Sequence, residues 1–199
     1  MTTVSSPGDV VHPFTVSDLE EMPDDGRRYE LIDGELLVSP APGWAHQEAA
    51  YTLYMLLRQA CPADMRVIGA PFAVRPDRYN EVQPDVLVAR YGDLTPDDLP
   101  RAPLLAVEVI SPTSRLRDAS LKKAVYERLG APSYWLVDPG PEKPWRPEPG
   151  PGQPSLSVFE LTDRGYQQTA HVVGETSWTA SQPFPVRVVP ADLVRGLRP

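Results

Sequence analysis

"PLLAVEVISP", residues 103–112, sets one acid in the middle of an apolar run. Side chains alternate along a strand, so Leu104, Ala106, Glu108 and Ile110 share one face while Leu105, Val107 and Val109 take the other. Both faces are apolar, which is the pattern of a central strand covered on two sides. Glu is almost never fully buried without a partner. An ionised carboxylate in such a place shifts its pKa or finds a cation. Two readings stay open: Glu108 pairs with an Arg or Lys near the sheet end, or it lines a cleft and holds a metal ion or a proton.

The preceding run, "QPDVLVAR" (83–90), reads as a second strand with Asp85 at its mouth. Pro-Asp alone is a common strand-opening turn. An acid at the mouth of one strand and another inside the next can also converge on one divalent cation, and hard carboxylate oxygens suit Mg²⁺ or Mn²⁺. Downstream, "TSRLRDASLKKAVYERLG" (113–130) reads as a long helix, started at Pro112 and Ser114 and stopped by Gly130 and Pro132. Asp118, Lys122 and Tyr126 fall four apart along one side, and Leu121, Val125 and Leu129 form the adjacent apolar stripe. Lys122 then sits at the edge of the packed face. It either reaches back to the sheet or pairs with Asp118 on the surface, a contact worth roughly a few tenths of a kcal/mol.

The rest of the chain supplies the frame. Residues 1–13 read as a loose arm, followed by a short acidic helix capped at Thr15 or Ser17. "RRYELIDGELLVS" (27–39) is a hairpin turning at Asp33-Gly34. A first long helix follows, with Ala49, Leu53, Leu56, Leu57 and Ala60 on its apolar face and Pro62 at its end. "MRVIGAPFAVRP" holds one or two strands; "SYWLVD", "SLSVFEL" and "GYQQTAHVV" are others; "RVVPADLVRGL" ends the chain as a strand and a short helix. The Pro- and Gly-rich stretch 139–154 reads as an exposed excursion between two strands. This order predicts a mixed α/β (α+β) fold: one domain over 14–199, a mixed sheet flanked by two principal helices, with extra C-terminal strands.

Charge narrows the function. Acidic residues outnumber basic ones to a net −8, and the pI is about 4.9. Such a surface repels phosphate backbones at long range, against a dedicated DNA-binding module with a basic face. An enzyme that meets phosphates through metal ions and a local basic groove stays possible. The single cysteine, Cys61, makes no intrachain disulfide, which fits a reducing compartment. Neither a secretory signal nor a run of about 18 apolar residues is present. The expectation is a soluble cytoplasmic protein away from membranes.

An ordered set of motifs adds to this: "YELIDGELLVSPAP", His46, "PDVLV", "LLAVEVISPTSRLRD" with Lys122 and Tyr126 at the next two four-residue steps, then "GAPSYWLVDP". Together, from Tyr29 to Pro139, they resemble the Uma-two family of restriction-endonuclease-like proteins within the PD-(D/E)XK nuclease superfamily. The resemblance implies a restriction-endonuclease-like core and a Mg²⁺- or Mn²⁺-dependent site that hydrolyses DNA phosphodiester bonds. By position, Asp85 matches the first acid and Glu108 the second, both as metal ligands. The superfamily's usual lysine, two residues after the second acid, is Ile110 here. The family pattern instead places a lysine in the following helix, at Lys122, so Asp85, Glu108 and Lys122 are the implied catalytic residues. His46 matches a histidine at the start of the first long helix, where it can bind metal, contact phosphate or cap the helix. Glu30 is a candidate further acid, and Tyr126 and Asp118 are supporting residues. Tyr134 and Trp135 belong to the core. Many nucleases of this superfamily cut two strands with two subunits, so a homodimer is an expectation as well.

Two other functions fit the residues. One is a catalytically inactive interaction or regulatory protein on the same fold, which the acidic charge and Ile110 favour. The other is a metal-dependent hydrolase of a small phosphorylated substrate.

Overall fold

Turn and cap chemistry set the elements of the N-terminal half. The computed structural model describes residues 12–110, 117–140 and 152–197, the side chains of 117–119 and 197 excepted. The first part of the expected arm (1–11) and most of the Pro-rich stretch (141–151) lie outside the described residues. Asp18 reaches back to the N–H and hydroxyl of Thr15 at the start of helix α1 (Val16–Glu20). Strands β1 (Arg28–Ile32) and β2 (Glu35–Ser39) form the hairpin. Asp33 and Gly34 both take positive φ, 52° and 79°, as a tight two-residue turn requires. Helix α2 (Trp44–Ala60) ends at Cys61, which is extended because Pro62 follows it.

The middle of the chain is mostly strand. β3 (Met65–Gly69), β4 (Ala73–Asp77), β5 (Asn80–Val82), β6 (Val86–Arg90), β7 (Asp98–Leu99) and β8 (Leu105–Val109) follow in order. A wide helical turn over Arg117–Lys122 leads into α3 (Lys123–Leu129), which Gly130 closes in the left-handed conformation. β9 (Ser133–Asp138), β10 (Ser155–Thr162), β11 (Gly165–Val173), β12 (Trp178–Ala180) and β13 (Val186–Val188) precede a final 3₁₀ helix, Pro190–Leu197.

These strands form two mixed sheets and a small hairpin. The main sheet runs β11-β10-β9-β8-β6-β3, parallel between β8 and β9 and antiparallel elsewhere. The second runs β2-β1-β5-β4-β7, and β12 pairs with β13. One mixed sheet was the expectation. The second sheet exists because β5 and β7, three and two residues long, extend the hairpin through long-range pairing. Runs that short carry no periodicity to read.

Alternation along β8 holds as expected. Leu105, Val107 and Val109 pack with Val86 and Val88 against Ala49, Leu53 and Leu57 of α2 and the C-terminal Leu193 and Val194. On the other face Leu87 and Ala106 meet Val125 and Tyr126 of α3, Tyr134, and Val74 and Val82 of the second sheet. Tyr134 stacks on Tyr126 at 5.6 Å, and Trp135 meets Trp178 edge-on at 5.5 Å, so both aromatics are core residues.

The third helix corrects one expectation. Its buried face runs through Lys122, Val125 and Tyr126, while Leu121 is 49% exposed. At 100° per residue Leu121 falls about 40° beyond Val125, outside that face. Lys122 turns inward to carboxylate partners, and Leu121 is left on the exposed side. Among the described residues no helix is long and apolar enough to cross a membrane.

Candidate active site

Register brings the two acids together. β6 and β8 pair antiparallel with Val86 opposite Val107 and Leu87 opposite Ala106. The same register carried one step further sets Asp85 opposite Glu108. Asp85 Oδ2 accepts the Val109 N–H at 2.8 Å, so this side chain continues the ladder where the backbone of β6 leaves it. His46 Nε2, from the first turn of α2, lies 3.0 Å from the same oxygen. On the other side Arg28 Nη1, from β1, lies 3.0 Å from Oδ1 and also donates to the Gln83 carbonyl at 3.2 Å. Burial pushes the Asp85 carboxyl up, but the hydrogen bond and charge of His46, with the charges of Arg28 and Lys122, outweigh it and hold its pKa at about 2.

Glu108 finds its partners on the third helix. Lys122 Nζ lies 3.1 Å from both carboxylate oxygens, and the Tyr126 hydroxyl donates to Oε1 at 3.2 Å. The same ammonium is 2.9 Å from Glu30 Oε1, which also accepts the Gln83 N–H at 2.8 Å. Glu30, Asp85, Glu108 and Lys122 are all buried. Burial and the negative charges of Glu108 and Glu30 push the Tyr126 hydroxyl well above its ordinary range, so it stays a proton donor. Burial works against the Arg28 charge, but Asp85, Glu30 and Glu108 together more than restore it.

A cleft of about 480 Å³ opens over one side of this cluster. Asp85, His46, Arg28 and Gln83 line it, and the Arg75–Glu81 pair, joined Nε to Oε2 at 2.6 Å, continues the wall. Glu30, Glu108, Lys122 and Tyr126 stand outside that lining. The site thus has a layer facing the cleft, Arg28–Asp85–His46, and an enclosed layer, Glu30–Lys122–Glu108–Tyr126.

Six of the residues singled out in the sequence therefore meet: Glu30, His46, Asp85, Glu108, Lys122 and Tyr126. The side chain of Asp118 lies outside the described residues. Ile110 is buried just past the end of β8, and the ammonium beside Glu108 comes from Lys122. Sequence reading missed Arg28 and Gln83. Alternation offered a signal for the first, since Arg28 and Glu30 share a face of β1. Gln83 acts through its backbone, which no side-chain pattern reveals.

A family model named Uma2 and described as "putative restriction endonuclease" matches residues 16–192, most of the chain and every residue of this cluster. The chain belongs to the Uma2 family. Its fold is similar to a crystal structure described as a "putative nuclease belonging to DUF820" from Anabaena variabilis ATCC 29413. The TM-score is 0.69 over 93% of this chain and 99% of that one, at 15% identity, a likeness of fold alone. Comparison with curated proteins finds no match. The Uma2 match spans both sheets, so the paired acids and the lysine of the third helix sit inside the family's own domain.

Proposed function

We propose that this Uma2 protein is a Mg²⁺- or Mn²⁺-dependent endonuclease that hydrolyses DNA phosphodiester bonds in the cleft over Asp85. One observation carries the reading: three buried carboxylates from two sheets, Glu30, Asp85 and Glu108, gather with Lys122 beside an open cleft. Burying three acids together is unfavourable unless cations are built in or recruited. The family's description, "putative restriction endonuclease", supports the nuclease reading, and the metal dependence is part of the proposal.

The donor set fits a hard divalent cation, because it consists of carboxylate oxygens with one imidazole and no thiolate. Asp85 and Glu108 are the residues that would hold the ion. A bound Mg²⁺ or Mn²⁺ supplies Lewis acidity toward a phosphate and acidifies water in the site. The protein's own part is positioning and charge. His46 and the Val109 N–H fix the Asp85 carboxylate, and Tyr126 fixes that of Glu108. Lys122 holds a positive charge in the enclosed layer behind the cleft, and from there its field offsets negative charge developing on the phosphate. Two subunits, each with one site, would serve cleavage of both strands.

A specific observation favours a second reading, a catalytically inactive interaction or regulatory protein. Each of the three acids already has a cationic partner within the chain, and among the described residues no three His, Cys, Asp or Glu side chains are arranged to hold one metal ion. Plasmid nicking decides between the two. Wild type should nick supercoiled DNA with Mg²⁺ or Mn²⁺, stop in EDTA, and fall to background as Glu108→Ala. Equal activity in both proteins would indicate a contaminant, and a wild type inert with either metal would support the inactive reading.

A further inference from the structure

Three arginines line the cleft: Arg27, Arg28 and Arg75. They differ in which edge of the guanidinium is engaged. Arg27 spends both Nε and Nη2 on Asp25, and Arg75 spends Nε on Glu81. Arg28 does the opposite. Its Nη1 is shared between Asp85 Oδ1 and the Gln83 carbonyl, while Nε and Nη2 make no hydrogen bond to the described residues. Neither atom is sealed from solvent, and Arg28 is part of the cleft wall. The side chain as a whole is only 18% exposed. It is held in place at one end and free at the other.

That free end has a chemical meaning. The Nε–H and Nη2–H of arginine point the same way in a rigid plane and match two oxygens of one phosphate or carboxylate. The anchoring contacts fix the plane of the guanidinium, so little conformational freedom remains to be lost on binding. Asp85 stands beside it and keeps His46 and the Val109 N–H as partners of its own.

We propose that Arg28 is a substrate-contacting residue whose free Nε–Nη2 edge grips two oxygens of a phosphodiester lying next to Asp85. The identity of that anion rests on the nuclease reading; the anion site itself does not. Lys122 is unsuited to this task, because it is enclosed and already engaged by two carboxylates.

The test joins spectroscopy with kinetics. In ¹H–¹⁵N spectra the Nε–H signal that disappears in Arg28→Lys identifies Arg28, and titration of the wild type with diethyl phosphate should shift it saturably. Arg28→Lys keeps a charge beside Asp85 but loses the fork. It should melt within a few degrees of wild type and nick DNA with kcat/KM lower on the order of a hundredfold, comparable to loss of one oxyanion donor. Arg28→Met should bind a short duplex, with Ca²⁺ replacing Mg²⁺, with a log–log salt slope shallower by about one. An Arg28 signal that stays put throughout the titration, or Arg28→Lys cleaving at the wild-type rate, would overturn the proposal. A shifting signal in a protein that nicks no DNA would leave the phosphate grip standing and defeat the nuclease reading alone.

Discussion

Lys122→Met removes the ammonium between Glu108 and Glu30 while keeping most of the stem's volume. Nζ lies 3.1 Å from both Glu108 oxygens and 2.9 Å from Glu30 Oε1, and all three residues are buried. Each such pair is worth roughly 5 kcal/mol of gross attraction at an effective dielectric of about 20. The net loss is smaller, because the ammonium regains hydration on unfolding. Removing one partner of a buried pair destabilises by about 3–5 kcal/mol. The upper end applies here, since two carboxylates are left side by side. For a domain of this size a loss of about 5 kcal/mol lowers Tm by about 10–20 °C. That is a large part of the roughly 5–15 kcal/mol that holds a domain folded. Urea denaturation followed by far-UV circular dichroism, on Lys122→Met, Glu108→Gln and the double variant, measures it. The double variant should be more stable than the sum of the singles predicts, with a coupling of at least about 1 kcal/mol. A Lys122→Met loss under about 1 kcal/mol, or additive singles, would refute the ion-pair account and return Lys122 to a surface contact worth roughly a few tenths.

Part of the pH dependence of stability follows from Asp85, whose pKa falls from 3.8 to about 2 on folding. Below pH 3.8 the unfolded chain takes up a proton at this carboxyl that the folded chain refuses, so stability falls with pH down to about 2. The total loss is about 2 kcal/mol. Asp25 and Asp18 are also held below the usual carboxylate range, so chemical denaturation between pH 5 and 2 should show a shallower fall in Asp85→Asn than in wild type, and equal slopes would defeat the assignment. Tyr126→Phe deletes the hydroxyl that donates to Glu108 Oε1. It should cost about 1.5 kcal/mol, as for a hydrogen bond to a charged group, and lower nicking less than Lys122→Met does. A Phe variant as stable as wild type would show that this bond contributes nothing.

Much of the fold was legible because it is written in local pattern. β8, β6 and β9 read as strands from apolar runs, the hairpin from Asp33-Gly34, and α2 from its Ala and Leu spacing with Pro62 as its stop. The candidate site was legible for a related reason. An acid inside an oily strand is unfavourable alone, so Glu108 announces that something across from it compensates. Arg28 was passed over because an arginine opening a hairpin strand is commonplace, and only the second sheet's placement carries it to Asp85. The leucine stripe misled for the opposite reason, since Lys122 occupies the buried face that Leu121 was expected to share.

The sequence alone determined which residues must find partners, because burying a charge is unfavourable wherever the chain takes it. Tertiary structure decided who those partners are. Pairing of β6 with β8 sets Asp85 across from Glu108, the hairpin sheet brings Arg28 and Glu30, and the rotation of the third helix points Lys122 inward. Each of those contacts joins segments far apart in the chain, and a local pattern holds no information about distances that only packing creates.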